Sequence, residues 1–372
     1  MPTTPSRKGP ATRLADLEPQ LTTPAFAAPS ARAPLAPFQI ARRQPGPHEV
    51  LIDILYCGVC HTDIHQVRDE WGGGRGVFPM VPGHEIIGRV ARAGEAVTRW
   101  KTGDTVGVGC LVDSCRECEA CRAGAEQYCE GEGGPTFTYG GTERDGTTPT
   151  YGGYSTRITV DGAYVVGIPK GLPLPGAAPL LCAGITTYSP LHAFGVQRGD
   201  RVAVVGLGGL GHIAVKIASA MGARVAVVSH SPAKREDARR LGAEEFLVVR
   251  SADDVARQAG RFDLVLDTVS ARHDYAAGLE LLRRDGTMVL VGLPEPSPLE
   301  ARPLIQRRRR LAGSMIGGIR ETQEMLDFCG REGITAEVEQ IPIQGINEAY
   351  ERMLRSDVRY RFVIDLASLR KS

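Results

Sequence analysis

Four cysteines, Cys115, Cys118, Cys121 and Cys129, are spaced C-x2-C-x2-C-x7-C in a turn-rich stretch. Two-residue gaps let successive thiolates converge on one tetrahedral ion, and the longer return brings in the fourth ligand. The pattern predicts a zinc site with a closed coordination shell, one that staples a loop and does no chemistry. An iron–sulfur cluster is the rival, but the last gap is too long for the bacterial ferredoxin run and no proline follows Cys129. Disulfides need an oxidising compartment, to which nothing else in the chain points. A second set is scattered: Cys60 in CGVCHTDIH, His84 in PGHEIIG and Cys182 in LLCAGITT. Two thiolates and an imidazole leave a fourth position open for water or substrate, the stoichiometry of a catalytic zinc. Their spacing alone does not bring them together, and each also reads as a buried thiol or a core histidine.

Residues 206–211, GLGGLG, follow the apolar run RVAVV and open a helix. In that setting Gly206 permits the tight turn, Gly208 with its neighbour Gly209 lets the backbone approach a pyrophosphate, and Gly211 allows close packing of helix on strand. The helix N-terminus offers unpaired N–H groups to the diphosphate. The next strand ends at Ser229, where an NAD site carries Asp or Glu for the ribose hydroxyls. That acid is missing. Ser229, His230 and Ser231 precede Lys234 and Arg235 instead. Small hydroxyls with nearby cations suit a 2′-phosphate, so NADP(H) is expected over NAD(H), with Ser229, Ser231 and Lys234 among its ligands. The same residues also read as a helix capped by Ser231 with Pro232 at its first position, and both readings can hold.

The elements that must position these groups divide the chain by pattern. A length of 372 residues makes two domains the expectation. The first thirty residues are rich in Pro, Thr and Ala and are expected to form a disordered tail (1–30), with no apolar block of signal-peptide length. From about Pro37 to Val166, short β-rich pieces punctuated by glycine and proline read as a compact β domain with long loops. From Arg201, short apolar runs alternate with helices, which implies a parallel sheet covered on both faces, a doubly wound (Rossmann) domain. After AGSMIGG the pattern VEQIPI, INEAYERMLR, RYRFVIDL does not plainly extend that sheet. Forty-four basic against 43 acidic residues leave a formal +1, so no long-range field draws the chain to nucleic acid or an anionic membrane. Arg307–Arg310 reads as a solvated edge. No apolar run reaches the roughly 18 residues needed to cross a bilayer, so a soluble, cytoplasmic protein is expected.

CGVCHTD, GHEIIG, the four-cysteine lobe, LLCAGITT and GLGGLG occur in the order found in zinc-dependent medium-chain alcohol dehydrogenases. VGVGCLVDSC, YGGYS, AGSMIGG, ETQEMLDFC, INEAYERML and RYRFVID resemble the cinnamyl-alcohol-dehydrogenase-like, NADP(H)-dependent aldehyde reductase branch, and the resemblance runs from about Pro34 to Leu366. It implies an α/β protein with a GroES-like catalytic domain (31–165 and 319–372) and an inserted nucleotide-binding domain (166–318). It implies two zinc ions and NADP(H) per chain, a small aldehyde or alcohol as substrate, and a homodimer joined through the nucleotide domains. Cys60, His84 and Cys182 resemble the catalytic zinc ligands and Glu85 an alternative ligand during exchange. Asp63 resembles the carboxylate that orients His84, Thr62 the hydroxyl that bonds the reacting oxygen, and His65 the outer end of a proton relay. Trp71, Phe137 and Ile316 are expected to shape the substrate pocket. Polyol or NAD-dependent dehydrogenases, and a non-enzymatic NADPH- or zinc-binding protein on the same scaffold, are the competing readings.

Overall fold

The computed structural model describes residues 20–71 and 76–370. Its strands in chain order are β1 Leu21–Ala27, β2 Ala36–Arg42, β3 Glu49–Gly58, β4 Ile86–Ala93, β5 Thr105–Val108, β6 Leu111–Asp113, β7 Thr136–Phe137, β8 Arg157–Asp161, β9 Val166–Gly167, β10 Arg201–Val205, β11 Arg224–Ser229, β12 Glu245–Val248, β13 Phe262–Asp267, β14 Leu282–Leu290, β15 Arg310–Gly313, β16 Val338–Pro342 and β17 Arg361–Asp365.

Six of them form a sheet in the order β12-β11-β10-β13-β14-β15, with every neighbouring pair parallel. Val202, Ala203 and Val204 of β10 and Leu264, Val265 and Leu266 of β13 are all buried. Unbroken apolar runs of this kind suit a sheet with helices on both faces, and this is the doubly wound domain the alternation predicts. Strand order reverses at β10 and β13, so a crevice opens beyond their carboxyl ends.

The second sheet runs β16-β17-β3-β4-β5-β9, with β8 also on β3. β17 pairs antiparallel with β3, so the end of the chain returns to the first half. Two expected boundaries are corrected here. β9 pairs with β5, so residues 166–167 sit in this sheet and the boundary at 165 falls one short strand early. The expected disordered tail is also too long. Residues 1–19 lie outside the described residues, but Leu21–Ala27 is a strand paired along its length with β2. Ala25, Phe26, Ala27 and Ala28 are buried, and Phe26 N–H and Ala28 N–H donate to the Tyr154 and Met80 carbonyls, both at 2.8 Å. Small residues and Pro24 disguise this strand as low-complexity tail, while its backbone bonds and one phenyl ring anchor it.

The two halves meet around His212, which is fully buried in the first turn of the helix Gly211–Ala220. Burial pushes the imidazole down to about 3, so it is neutral. Nε2 accepts from the Glu337 N–H at 3.3 Å, which places the ring proton on Nδ1, 3.1 Å from the Gly208 carbonyl. The ring also stacks on Tyr360 at 4.8 Å.

A chain lacking residues 1–28 is expected to melt roughly 5–10 °C lower than the full chain, because it loses a buried phenylalanine and several buried backbone hydrogen bonds. Differential scanning calorimetry checks this, and an unchanged midpoint would return β1 to the dispensable tail.

Candidate active site

The scattered ligands converge. Cys60 precedes the helix His61–Val67, and Asp63, in its first turn, accepts the Cys60 N–H at 2.8 Å through Oδ2. The same carboxylate, wholly buried, accepts the Tyr154 hydroxyl at 3.2 Å and the Gly83 N–H at 3.2 Å. His84 follows Gly83, and its Nδ1 lies 3.3 Å from Asp63 Oδ1, close enough for charge attraction although the angle falls short of a hydrogen bond. Cys182 precedes the helix Ala183–Ala193. One ligand atom from each of Cys60, His84, Glu85 and Cys182 lies within 4.8 Å of the others, and all four residues are buried. The two sulfurs are 4.0 Å apart; a tetrahedral zinc with ordinary Zn–S bonds needs about 3.8 Å. The donor set therefore fits a zinc ion.

The hydrogen bond between the two sulfurs holds Cys60 well below the usual thiol range against the opposing effect of burial, while contacts with Cys110 and Cys60 push Cys182 up. Burial pushes Glu85 up to about 7, with Arg361 opposing. One Glu85 oxygen pairs with the buried guanidinium of Arg361, and the other, Oε2, has no partner among the described residues. Gly58 makes room for it, since a Cβ there would lie 1.8 Å from Oε2. A free carboxylate oxygen beside three ligands suits the exchange role expected of Glu85.

The four-cysteine lobe is equally well ordered for a metal. Its ligand atoms also lie within 4.8 Å of one another, with Cys115 and Cys121 sulfurs 3.8 Å apart. Backbone N–H groups point at the sulfurs: Cys121 and Glu130 donate to Cys118, Cys118 to Cys115, and Cys115 to Cys129. The Cys121 and Glu130 amides bring Cys118 down to about 6, which favours the thiolate a metal requires. The lobe also grips the chain beyond β15. Tyr128 hydroxyl accepts the Met315 N–H at 3.1 Å, and Glu126 accepts the Ile319 N–H at 3.0 Å.

At the crevice Gly206 sits at φ +88°, and a Cβ on Gly211 would lie 2.2 Å from the Gly206 carbonyl oxygen, so neither position admits a side chain. A Cβ on Gly208 would meet nothing within 4 Å, leaving its face open. Gly209 packs on Arg361, 3.0 Å from its Cδ to an added Cβ. Arg361 thus touches both the zinc-ligand set and the glycine turn. Ser229 ends β11, and Ser231 caps the short turn Pro232–Lys234, as the capping reading expects. Lys234 turns back over the Tyr360 ring and donates to the Leu207 carbonyl at 2.8 Å. Its ammonium is on the crevice, held by the glycine turn.

Residues 46–170 match the model of the alcohol dehydrogenase GroES-like domain, and residues 209–331 that of the zinc-binding dehydrogenase domain. NADP-dependent alcohol dehydrogenase C 1 of Mycolicibacterium smegmatis is 57% identical over 350 residues, 94% of this chain and 99% of the relative. The chain belongs to the zinc-binding alcohol dehydrogenase family. Aldehyde reductase YahK of Escherichia coli is 54% identical, covering 93% of this chain and 98% of its own. Among solved structures, a cinnamyl alcohol dehydrogenase from Sorghum bicolor superposes with a TM-score of 0.89 at 45% identity, over 93% of this chain and 98% of the other. One from Helicobacter pylori in complex with NADP(H) gives 0.87 at 40%, over 94% and 99%.

Beyond the ligands, this dehydrogenase places Thr62 Oγ1 3.5 Å from the Cys60 sulfur. His65 Nδ1 lies 2.5 Å from Glu70 Oε2, and its ring stacks on Trp71 at 4.6 Å. Glu70 carries no motif; a carboxylate one turn past a candidate relay histidine was its only signal. Trp71 and Phe137 are partly exposed, and Ile316 lies with Cys110, Leu181 and Ile185 around a small cavity that none of the four candidate ligands lines.

Metal analysis of the purified enzyme should give two zinc ions per chain. Cys118→Ser is expected to lose one of them and to melt several degrees lower, because closed metal sites couple binding to folding. Cys182→Ser should keep the lobe zinc and most of the melting temperature. Equal destabilisation by the two changes would contradict the separate roles.

Proposed function

We propose that this chain is a zinc-dependent NADP(H) alcohol dehydrogenase working chiefly as a broad aldehyde reductase, RCHO + NADPH + H⁺ giving RCH₂OH + NADP⁺. The observation that carries the reading is Arg361, one buried side chain in contact with both Glu85 and Gly209. It sets the metal donors and the dinucleotide turn on one cleft, as hydride transfer to a polarised carbonyl requires. Cys60, His84 and Cys182 would hold the zinc, with Cys115, Cys118, Cys121 and Cys129 holding the second ion. When bound, zinc supplies Lewis acidity toward a carbonyl oxygen and the dinucleotide supplies the hydride.

The chain's own residues manage orientation and the proton. Asp63 fixes the Cys60 backbone and faces the His84 ring, which sets that ring's tautomer. The Thr62 hydroxyl donates the proton that the reduced oxygen takes up. His65 replenishes it from Nε2, while Glu70 keeps a second, non-transferred proton on Nδ1. Gly206, Gly208, Gly209 and Gly211 admit the pyrophosphate, while Ser229, Ser231 and Lys234 receive the 2′-phosphate once Lys234 exchanges the Leu207 carbonyl for it.

A homodimer and a cytoplasmic location belong to the same reading. Among the described residues no strand pairs with the outer edge of β15, and Leu293, Leu299 and Ile305 stand exposed in the stretch before it. No helix among the described residues is long and apolar enough to cross a membrane. Sedimentation as a monomer would remove the dimer from the proposal.

NADPH oxidation with a panel of aliphatic, aromatic and terpenoid aldehydes tests the reaction. Thr62→Ala should cut kcat by about 10²-fold or more and leave the NADPH dissociation constant unchanged, since the lost proton transfer acts in the transition state. Near-normal kcat would refute the relay.

Cofactor choice turns on position 229. Ser229→Asp sets a carboxylate against the 2′-phosphate and offers free ribose hydroxyls an acceptor. Each effect is worth about 1–2 kcal/mol, or roughly tenfold per 1.4 kcal/mol. Wild type is expected to favour NADPH in kcat/KM and the variant to lose most of that preference. Equal use of both cofactors by wild type, or parallel loss of both in the variant, would confine the serines to capping.

A further inference from the structure

Asp267 ends β13 and is 1% exposed. Its Oδ1 accepts the Val269 N–H at 3.0 Å, and its Oδ2 lies 2.5 Å from His273 Nε2. The other ring nitrogen of His273, Nδ1, lies 2.9 Å from the Ala271 carbonyl oxygen. Both nitrogens therefore face oxygen acceptors. A neutral imidazole has one N–H and would set its lone pair against one of those oxygens; the imidazolium satisfies both.

The loop closed by this contact, residues 268–273, is a wall of the crevice. Thr268 Oγ1 donates to the Val205 carbonyl at 2.8 Å. A Cβ on Gly206 would lie 3.1 Å from both Thr268 Oγ1 and Val269 Cγ2, and one on Gly292 would lie 2.4 Å from the Val269 carbonyl oxygen. The loop is thus wedged between the glycine turn and the end of β14. Because strand order reverses between β10 and β13, a dinucleotide in the crevice runs along it.

We propose that protonated His273 clamps the 268–273 loop onto Asp267 and that this clamp tightens NADP(H) binding, so that cofactor affinity falls as His273 loses its proton. The inference rests on the NADP(H) reading of the crevice. The titratable and charged groups facing His273 are Asp267 on β13, Asp274 at the cap of the helix Tyr275–Leu281, and Tyr275, whose ring meets the imidazole edge-on at 5.1 Å. Arg272, its neighbour in sequence, is exposed. The hydrogen bond to Asp267 raises His273 above the ordinary histidine value, and partial burial opposes it less strongly. A raised value in the clamped state means that the clamp is complete below the ordinary histidine value of about 6.5 and is lost as pH climbs through the raised value above it.

The test is the NADPH dissociation constant, from the fluorescence of bound NADPH, between about pH 6.5 and pH 9.5 in wild type, His273→Phe and His273→Gln. The 2′-phosphate of NADPH titrates alike in all three, so the ratio of variant to wild type is the quantity read. For His273→Phe the ratio should be about five- to tenfold at the acid end, as expected for a charge-assisted hydrogen bond, and fall toward one at the alkaline end. His273→Gln keeps one non-titrating donor for Asp267, so its ratio should stay below that of Phe at the acid end. Circular dichroism confirms that each variant is folded. A Phe ratio that is the same at every pH, whether one or ten, would overturn the clamp. Failure of wild type to bind NADPH at any pH would instead overturn the cofactor reading beneath it.

Discussion

The buried pair of Arg361 and Glu85 is the contact on which the rest of the cleft depends. Removing one member of a buried ion pair costs about 3–5 kcal/mol, because the other charge is left without a partner. The fold is arranged so that neither is left alone. β17 returns to β3 and delivers Arg361 at its first residue; β3 ends at Gly58, which leaves the space that Glu85 occupies. Because Arg361 also packs under Gly209, the nucleotide domain cannot shift without disturbing the carboxylate beside the zinc ligands. His212 ties the same two regions through the Glu337 backbone and the Tyr360 ring, and a neutral imidazole does so without adding another charge to bury.

How much of this could be read in the sequence follows from which interactions are local. The glycine turn and the cysteine lobe are local, so spacing and flanking pattern sufficed for both. Cys60, His84 and Cys182 are far apart in the chain, and only resemblance to a family joined them before the structure did. Glu70 had no motif, and Arg361, although it lies inside RYRFVID, had no role attached to it: a charged residue after a helix and one at the start of a strand look like ordinary surface positions until their partners are placed. β1 was misread for a related reason. TTPAFAA has the composition of a tail, and what makes it a strand is a partner, β2, and two carbonyls on distant loops.

The four-cysteine lobe is tied to the cleft through the backbone it grips. Its fixed shape carries Tyr128 and Glu126, which hold the backbone at Met315 and Ile319. Between those two anchors lies Ile316, a non-glycine residue at positive φ that lines a small cavity with Cys110 and Leu181. A left-handed conformation in a β-branched residue is costly and persists where its surroundings impose it. The lobe imposes it from one side and the helix Ile319–Glu332 from the other, so a change in the shape of the lobe would reach this cavity through the short segment between them.

The charge count of the cleft explains what remains for the protein to do. Two thiolates would balance a divalent ion, and Arg361 balances Glu85, so the buried charge left over is that of Asp63, beside the donor set. Among the described residues no guanidinium or ammonium pairs with that carboxylate; the Cys60 and Gly83 N–H groups and the Tyr154 hydroxyl surround it instead. Dipoles of this kind stabilise a buried anion only while they point at it, which makes their placement a matter of backbone geometry. The Tyr154 carbonyl bonds Phe26 of β1, and the helix that begins after Cys60 supplies Asp63 itself. The position of Asp63, 3.3 Å from the His84 ring, is therefore set by hydrogen bonds that reach from the N-terminal strand through Tyr154.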